Sequence, residues 1–192
     1  YLAMKFTEIG SRPLDPGIVR CLYPAARLYM LPMGLLAIPV ATVVFPLLGR
    51  YANRGDTDGL RHTTSRALRL CLFLSLPAAA VLALTADRAI ALLFERGNFG
   101  AGDTLRTAWI LRMYCIGLWA YFFNQILNRA FFAVRRPRGP MILALALAPV
   151  NIALVVVEIH TPLKGGAIGL ATAVTQSLNA VILVCLLRRM WG

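Results

Sequence analysis

The feature that most limits what this chain can fold into is a set of five long apolar runs: Leu28 to Leu48, Leu70 to Phe94, Met113 to Leu127 with extensions either side, Met141 to Val157, and Gly165 to Leu187. Each approaches or reaches the roughly 20 residues that cross about 30 Å of hydrocarbon at 1.5 Å per residue. The runs are continuous and rich in Leu and Ala, whereas the strands of a membrane barrel would alternate, so helices are the reading that lipid permits. Of the 192 residues, 59% belong to the set AVILMFWYC. One small globule cannot bury that much apolar surface. The sequence therefore predicts an all-α integral membrane protein, a polytopic transmembrane helix bundle. Its single unit over 1–192 has about five spanning helices, at about 21–48, 66–94, 105–133, 140–158 and 165–188.

The charges orient these helices. A net charge of +12 from 20 Lys+Arg and 8 Asp+Glu would suit a nucleic-acid binder, but here the Arg clusters separate apolar spans instead of forming one soluble face. No nucleic-acid partner is expected. The link from Arg50 to Arg69 has five Arg, the link from Arg129 to Arg138 has four and no acid, and Arg188 and Arg189 close the last helix. By contrast, Asp87 to Arg112 mixes four Arg with three acids, and Glu158 to Lys164 has one Lys and one Glu. Alternate links are the more basic, which puts them on the cytoplasmic side and runs the first helix from outside to inside. Lys5, Arg12, Arg20 and Arg27 do not fit this sorting. The first ten residues, YLAMKFTEIG, lack the regions of a signal peptide, and the chain reads as a piece of a longer protein.

Pro32, Pro39 and Pro46 recur every seven residues, near one face of the first helix. They fit either a bent helix in a packed bundle, the commoner case, or a helix that flexes during transport. Cys21, Cys71, Cys115 and Cys185 are far apart in apolar surroundings and read as small hydrophobes, without disulfide or zinc.

Ionisable groups in spanning segments cost at least about 2.5–3.5 kcal/mol on insertion scales, so each calls for a reason. Arg27 stands just ahead of LYMLPMGLLAIPVATVVFPLL, with Arg20 seven residues earlier on the same helical face. Spacing leaves two readings open: headgroup snorkelling, or a cavity cation whose fork suits a phosphate. Tyr121, Asn124 and Asn128 form one polar stripe in the third span, and Thr172, Thr175, Gln176 and Asn179 form another in the fifth. Such stripes make helix-to-helix hydrogen bonds, the commoner role, or line a wet cavity. Asn151 reads as structural. Gly165 and Gly169 form a GxxxG, which supports close helix contact only.

No catalytic constellation or metal set emerges. His62 and His160 lack neighbouring ligands, Asp56 and Asp58 read as a solvated turn, and there is no Walker loop, HExxH or GxSxG. An enzyme is not expected, and neither a metal nor a cofactor is called for. Packing, or transport not driven by bound ATP, remains.

The stretch CLYPAARLYMLPMGLLAIPVATVVFPLLGRYANRGD resembles a segment of the MurJ/MviN lipid II flippases of the MOP superfamily that reads approximately LYYADRLxxLPxGxxGxAxATVLLPxLSRxxxxGD. LRLCLFLSLPAAAVLAL, LLFERGNFGAGDT, NRAFFAVRRPRGP and PLKGGAIGLATAVTQSLNAVILVCLLRR follow in the family's order. The resemblance implies that the five helices are the eighth to twelfth of a fourteen-helix flippase, most of one C-terminal lobe, in a bacterial cytoplasmic membrane. It further implies an undecaprenyl-pyrophosphate-linked glycan as substrate, lipid II first, with export of another polysaccharide lipid, MOP-type antiport or a non-transporting scaffold paralogue as the alternatives. Partners would be the N-terminal lobe of the same protein and anionic membrane lipids met by Arg135, Arg136 and Arg138. Arg27 matches the family's functional arginine, with Arg20 as a second candidate for the pyrophosphate. Asn124, Asn128, Thr172, Gln176 and Asn179 are the candidate cavity-lining polar residues. The chain departs from the pattern at Pro24, Ala26, Met30 and the AVRRPRGP link.

Overall fold

The computed structural model describes residues 18–97, 99–159 and 166–191. All regular structure among them is helical: α1 Ile18–Pro32, a π-helical turn Met33–Ala37, α2 Ile38–Asn53, α3 Thr57–Phe94, α4 Ala101–Ile116, α5 Leu118–Ala133, α6 Arg138–Ile159 and α7 Gly166–Trp191. Lys5, Arg12, His160, Lys164 and Gly165 lie outside the described residues.

α1, the π turn and α2 form one long helix whose middle is widened. The amide of Ile38 donates back to Met33 O, five residues earlier. Pro39 follows directly; it has no N–H, and its ring would collide with the carbonyl four residues before it, so the chain loosens just upstream. The proline repeat thus leaves a concrete mark in the middle of the helix.

The link to α3 is far shorter than the basic stretch suggested. Gly55 turns the chain at φ +68, and Asp56 caps the next helix by accepting from Gly59 N at 2.8 Å. That cap starts α3 at Thr57 and not near 66, so Arg61, His62, Arg66 and Arg69 lie on a helix. Hydropathy marks where the lipid begins, whereas the cap marks where the helix begins. Asp56→Ala should lower thermal stability by about 1 kcal/mol, measured on the detergent-solubilised protein, with Asp58→Ala near neutral.

Among the described residues four stretches are long and apolar enough to span: Arg20–Asn53, Thr57–Phe94, Arg138–Val157 and Ile168–Met190. The expected third span is instead two 16-residue helices, α4 and α5, separated at Gly117. Each half rises about 24 Å at 1.5 Å per residue, short of the hydrocarbon thickness. The pair nonetheless occupies the place of one span. α4 runs beside α1 and α5 beside α2, and both pack on α3 and α7. The break falls where the backbones of two helices touch: a Cβ on Gly117 would lie 2.6 Å from Ala173 Cα. A broken helix survives at this depth because protein encloses it.

The core joins α1, α3, α4 and α5 through small side chains, with Ala25, Cys71, Ala86 and Ala108 fully buried. A second cluster, around Leu48, Phe131 and Leu183, closes the Arg-rich end. Close approach of small residues is how helices associate when lipid offers no hydrophobic drive. The outside is the inverse of a soluble protein: Phe73, Leu84 and Leu145 are 75–82% exposed, and only 6% of the apolar window of α6 is buried. These surfaces suit acyl chains.

Candidate functional site

Arg27 leaves α1 on the face that the bundle does not cover, while Ala25, Leu28 and Tyr29 point into the core. One helical turn earlier, Tyr23 lies against it. Arg27 Nη2 donates to Tyr23 Oη at 2.7 Å, and the guanidinium carbon stands 4.9 Å from the Tyr23 ring centroid. The ring attracts the cation and the hydroxyl takes one of the guanidinium's five N–H donors, leaving four for a ligand. No carboxylate among the described residues pairs with it. The result is a pre-oriented, uncompensated cation at the end of an apolar span. Tyr23 carries no charge and so escaped the sequence argument, although its four-residue spacing from Arg27 was the available signal.

Arg20 is placed differently. Its Nη1 is 3.9 Å from Asp103 Oδ2 at the start of α4, so its charge is shared with an acid. Deeper on the same side, Arg112 pairs with Asp87 and also donates from Nε to Ala83 O at 3.3 Å, joining α3 to α4. Asp87, the acid noted within the second apolar run, thus faces an arginine.

The polar stripes meet each other. Asn124 Nδ2 on α5 donates to Gln176 Oε1 at 2.7 Å and to Gln176 O at 3.2 Å on α7. Asn151 Nδ2 on α6 donates to Thr175 Oγ1 at 3.0 Å, and Thr175 in turn donates to Ala171 O. Thr172 satisfies itself on Ile168 O at 2.7 Å. Asn128 and Asn179 are half-buried, and Asn179 Oδ1 is enclosed without a partner. Of these candidates, then, Asn124 and Gln176 act as links between helices. Asn124→Ala should cost about 1 kcal/mol in unfolding from detergent, with Asn128→Ala near zero.

Gly169 lies against α4: a Cβ there would sit 3.0 Å from Ile110 O and from Met113 Cβ. Behind Arg27, Tyr29 stacks on Tyr114 at 4.8 Å and tilts against Tyr121 at 5.1 Å. These rings fasten α1 to both halves of the broken helix, so the helix bearing Arg27 is held from within. The geometry can fix an anion at Arg27 against a rigid wall; it contains no paired acid and base, and no cluster of three or more His, Cys, Asp or Glu occurs among the described residues.

Comparison with known proteins places this arrangement. The family model described as "Lipid II flippase MurJ" matches residues 2–192. A "Probable lipid II flippase MurJ" of Rhizobium meliloti is 36% identical over 188 residues, 97% of this chain and 35% of the relative. A protein of the same description from Thermotoga maritima is 35% identical over 171 residues, 88% of this chain and 35% of its own length. A solved structure titled "Lipid II flippase MurJ, inward closed conformation" superposes with a TM-score of 0.75 at 29% identity, covering 89% of this chain and 36% of that one. The chain spans about a third of the length of the curated relatives it matches.

Proposed function

The chain belongs to the MurJ lipid II flippase family, and from that premise we propose that it supplies one wall of a transporter that carries lipid II across the bacterial cytoplasmic membrane. The observation that carries this reading is Arg27: exposed, shelved on Tyr23 and paired with no acid among the described residues. The substrate's difficult part is its pyrophosphate, whose charges must cross a low-dielectric interior with cations and donors at hand. Arg27 meets it with charge and up to four N–H donors, and Arg20 assists from the mouth of the site. Ala26 and Met30, where the resemblance places polar residues, put no acid beside that positive charge.

The facing wall is the other lobe, within the two-thirds of the relatives' length that this chain does not match. Rocking of the two walls alternates access while no bond is made or broken, so the protein is a transporter and not an enzyme. The widened turn at Met33–Ala37, between the anchored α1 and α2, is where the Arg27 helix can bend. At the Arg-rich end, Arg135, Arg136, Arg138 and Arg189 ring a groove with Phe131 and Leu186, which suits anionic lipids at about 1 kcal/mol per basic residue.

The test is complementation. In cells depleted of their own flippase, the protein carrying this chain should restore growth and wall synthesis. A protein that is present in the membrane and binds lipid II yet never rescues overturns the reading, and rescue of O-antigen export in its place reassigns the substrate.

A further inference from the structure

At the end of the bundle opposite Arg27, a cavity of about 350 Å³ opens between α3, α5 and α7. Arg61 and Arg188 stand at it, Thr64 and Ser65 line it, and Leu127 and Leu187 give it an apolar side. Thr64 is 2% exposed, and its hydroxyl has no hydrogen-bond partner. Among the buried threonine hydroxyls only Thr107 on α4 shares this state in the described residues. Thr42, Thr85, Thr172 and Thr175 each donate to the carbonyl four residues earlier, the ordinary way a helical threonine satisfies itself. A buried donor left unmet is costly, so its position calls for a ligand.

The surroundings say which kind. Neither Arg61 nor Arg188 has an ion-pair or hydrogen-bond partner among the described residues, and no acid lines the cavity. Two guanidinium forks and the half-buried Ser65 hydroxyl form a donor set with an anion's complement, and the enclosed Thr64 hydroxyl stands in the wall behind them. We propose that this cavity binds a phosphoryl anion, held by Arg61 and Arg188 and fixed by the Thr64 hydroxyl. The anion is either inorganic phosphate or the phosphodiester of an anionic phospholipid, whose glycerol and first methylenes would lie on Leu127 and Leu187. The site is separate from Arg27 and takes from the flippase reading only the leaflet it faces.

Binding is measured on the whole protein in an uncharged detergent, without any transport readout, so its failure is distinct from failure of the flippase reading. One arm titrates inorganic phosphate against chloride at equal ionic strength and follows the melting temperature. The other counts bound phosphatidylglycerol against phosphatidylcholine by native mass spectrometry. A melting shift with phosphate assigns the free anion; selective retention of phosphatidylglycerol without that shift assigns the headgroup; neither response overturns the site. Thr64→Val keeps the shape and removes only the hydroxyl. It should weaken whichever probe binds by about tenfold or more while the ligand-free protein melts no lower. Arg61→Gln with Arg188→Gln should abolish binding. Unchanged binding in Thr64→Val and in the double variant, or loss seen only with Arg135→Gln and Arg138→Gln in the neighbouring groove, overturns the assignment.

Discussion

Arg27→Ala will abolish rescue of flippase-depleted cells while the protein accumulates in the membrane at its normal level. The side chain is exposed, and its hydrogen bond and its ring contact among the described residues are both with Tyr23, so removing it leaves no hole in the core. What disappears, on the proposed function, is the charge that would meet the pyrophosphate. Hydrogen bonds to charged groups are worth about 1.5–3 kcal/mol each, and losing two or more of them reduces binding by at least about a hundredfold. Arg27→Lys keeps the charge but loses the planar fork, and should rescue partially. Tyr23→Phe keeps the ring and loses one bond at 2.7 Å, so a loss of about tenfold is expected. Quantitative growth rescue, with immunoblots for level, orders these variants. A protein acting only as a scaffold would tolerate all of them, and equal rescue by Arg27→Ala would sink the proposed role.

Gly117→Val has the other large effect, on stability. A Cβ at this position meets Ala173 Cα at 2.6 Å and Ala173 Cβ at 2.7 Å, and backbone cannot rotate out of the way as a flexible side chain can. Accommodating valine requires α7 to move off the broken helix, which also strains the Asn124 to Gln176 bonds nearby on the same pair of helices. Overpacking of this kind costs about 1–3 kcal/mol and more when the backbone must shift. The variant should be depleted from the membrane, or melt well below wild type in detergent size-exclusion and fluorescence assays. Gly34→Val is a matched control within a helix, because a Cβ there meets nothing within 4 Å. Similar losses in both variants would show that the close contact with α7 is not what matters.

Much of the fold was legible because its main determinant is local. Whether a stretch can lie in lipid depends on its own composition, so the runs at Leu28–Leu48, Leu70–Phe94 and Met141–Val157, and the described part of Gly165–Leu187, fall within helices. What composition could not locate were the ends and the breaks. Asp56 starts α3 about two turns earlier than the hydropathy suggested, since a cap acts on backbone donors and not on apolar content. Gly117 interrupts the third span because of Ala173, and nothing around Gly117 announces a neighbour so distant in sequence.

The same division applies to the sites. Arg27 was singled out by its place ahead of an apolar span and by the motif around it, and its tyrosine shelf followed a spacing that helical geometry makes meaningful. Arg20 and Arg27 look alike in one dimension, yet Asp103 reaches only Arg20. The amide stripes could be seen but not partnered, because Asn124 and Gln176 belong to different helices. Arg61, Thr64 and Arg188 gave no shared signal at all.

By itself the sequence determined that the chain is helical, that its long runs suit lipid, and that one arginine lies where an apolar span offers no reason for it. These follow from transfer energies and charge, which sum residue by residue. Only the tertiary structure decided which cations pair with an acid among the described residues, where a span breaks, and which hydroxyls are buried without a partner. Each of those depends on what a second helix brings within about 3–4 Å, the range over which hydrogen bonds and steric contact act.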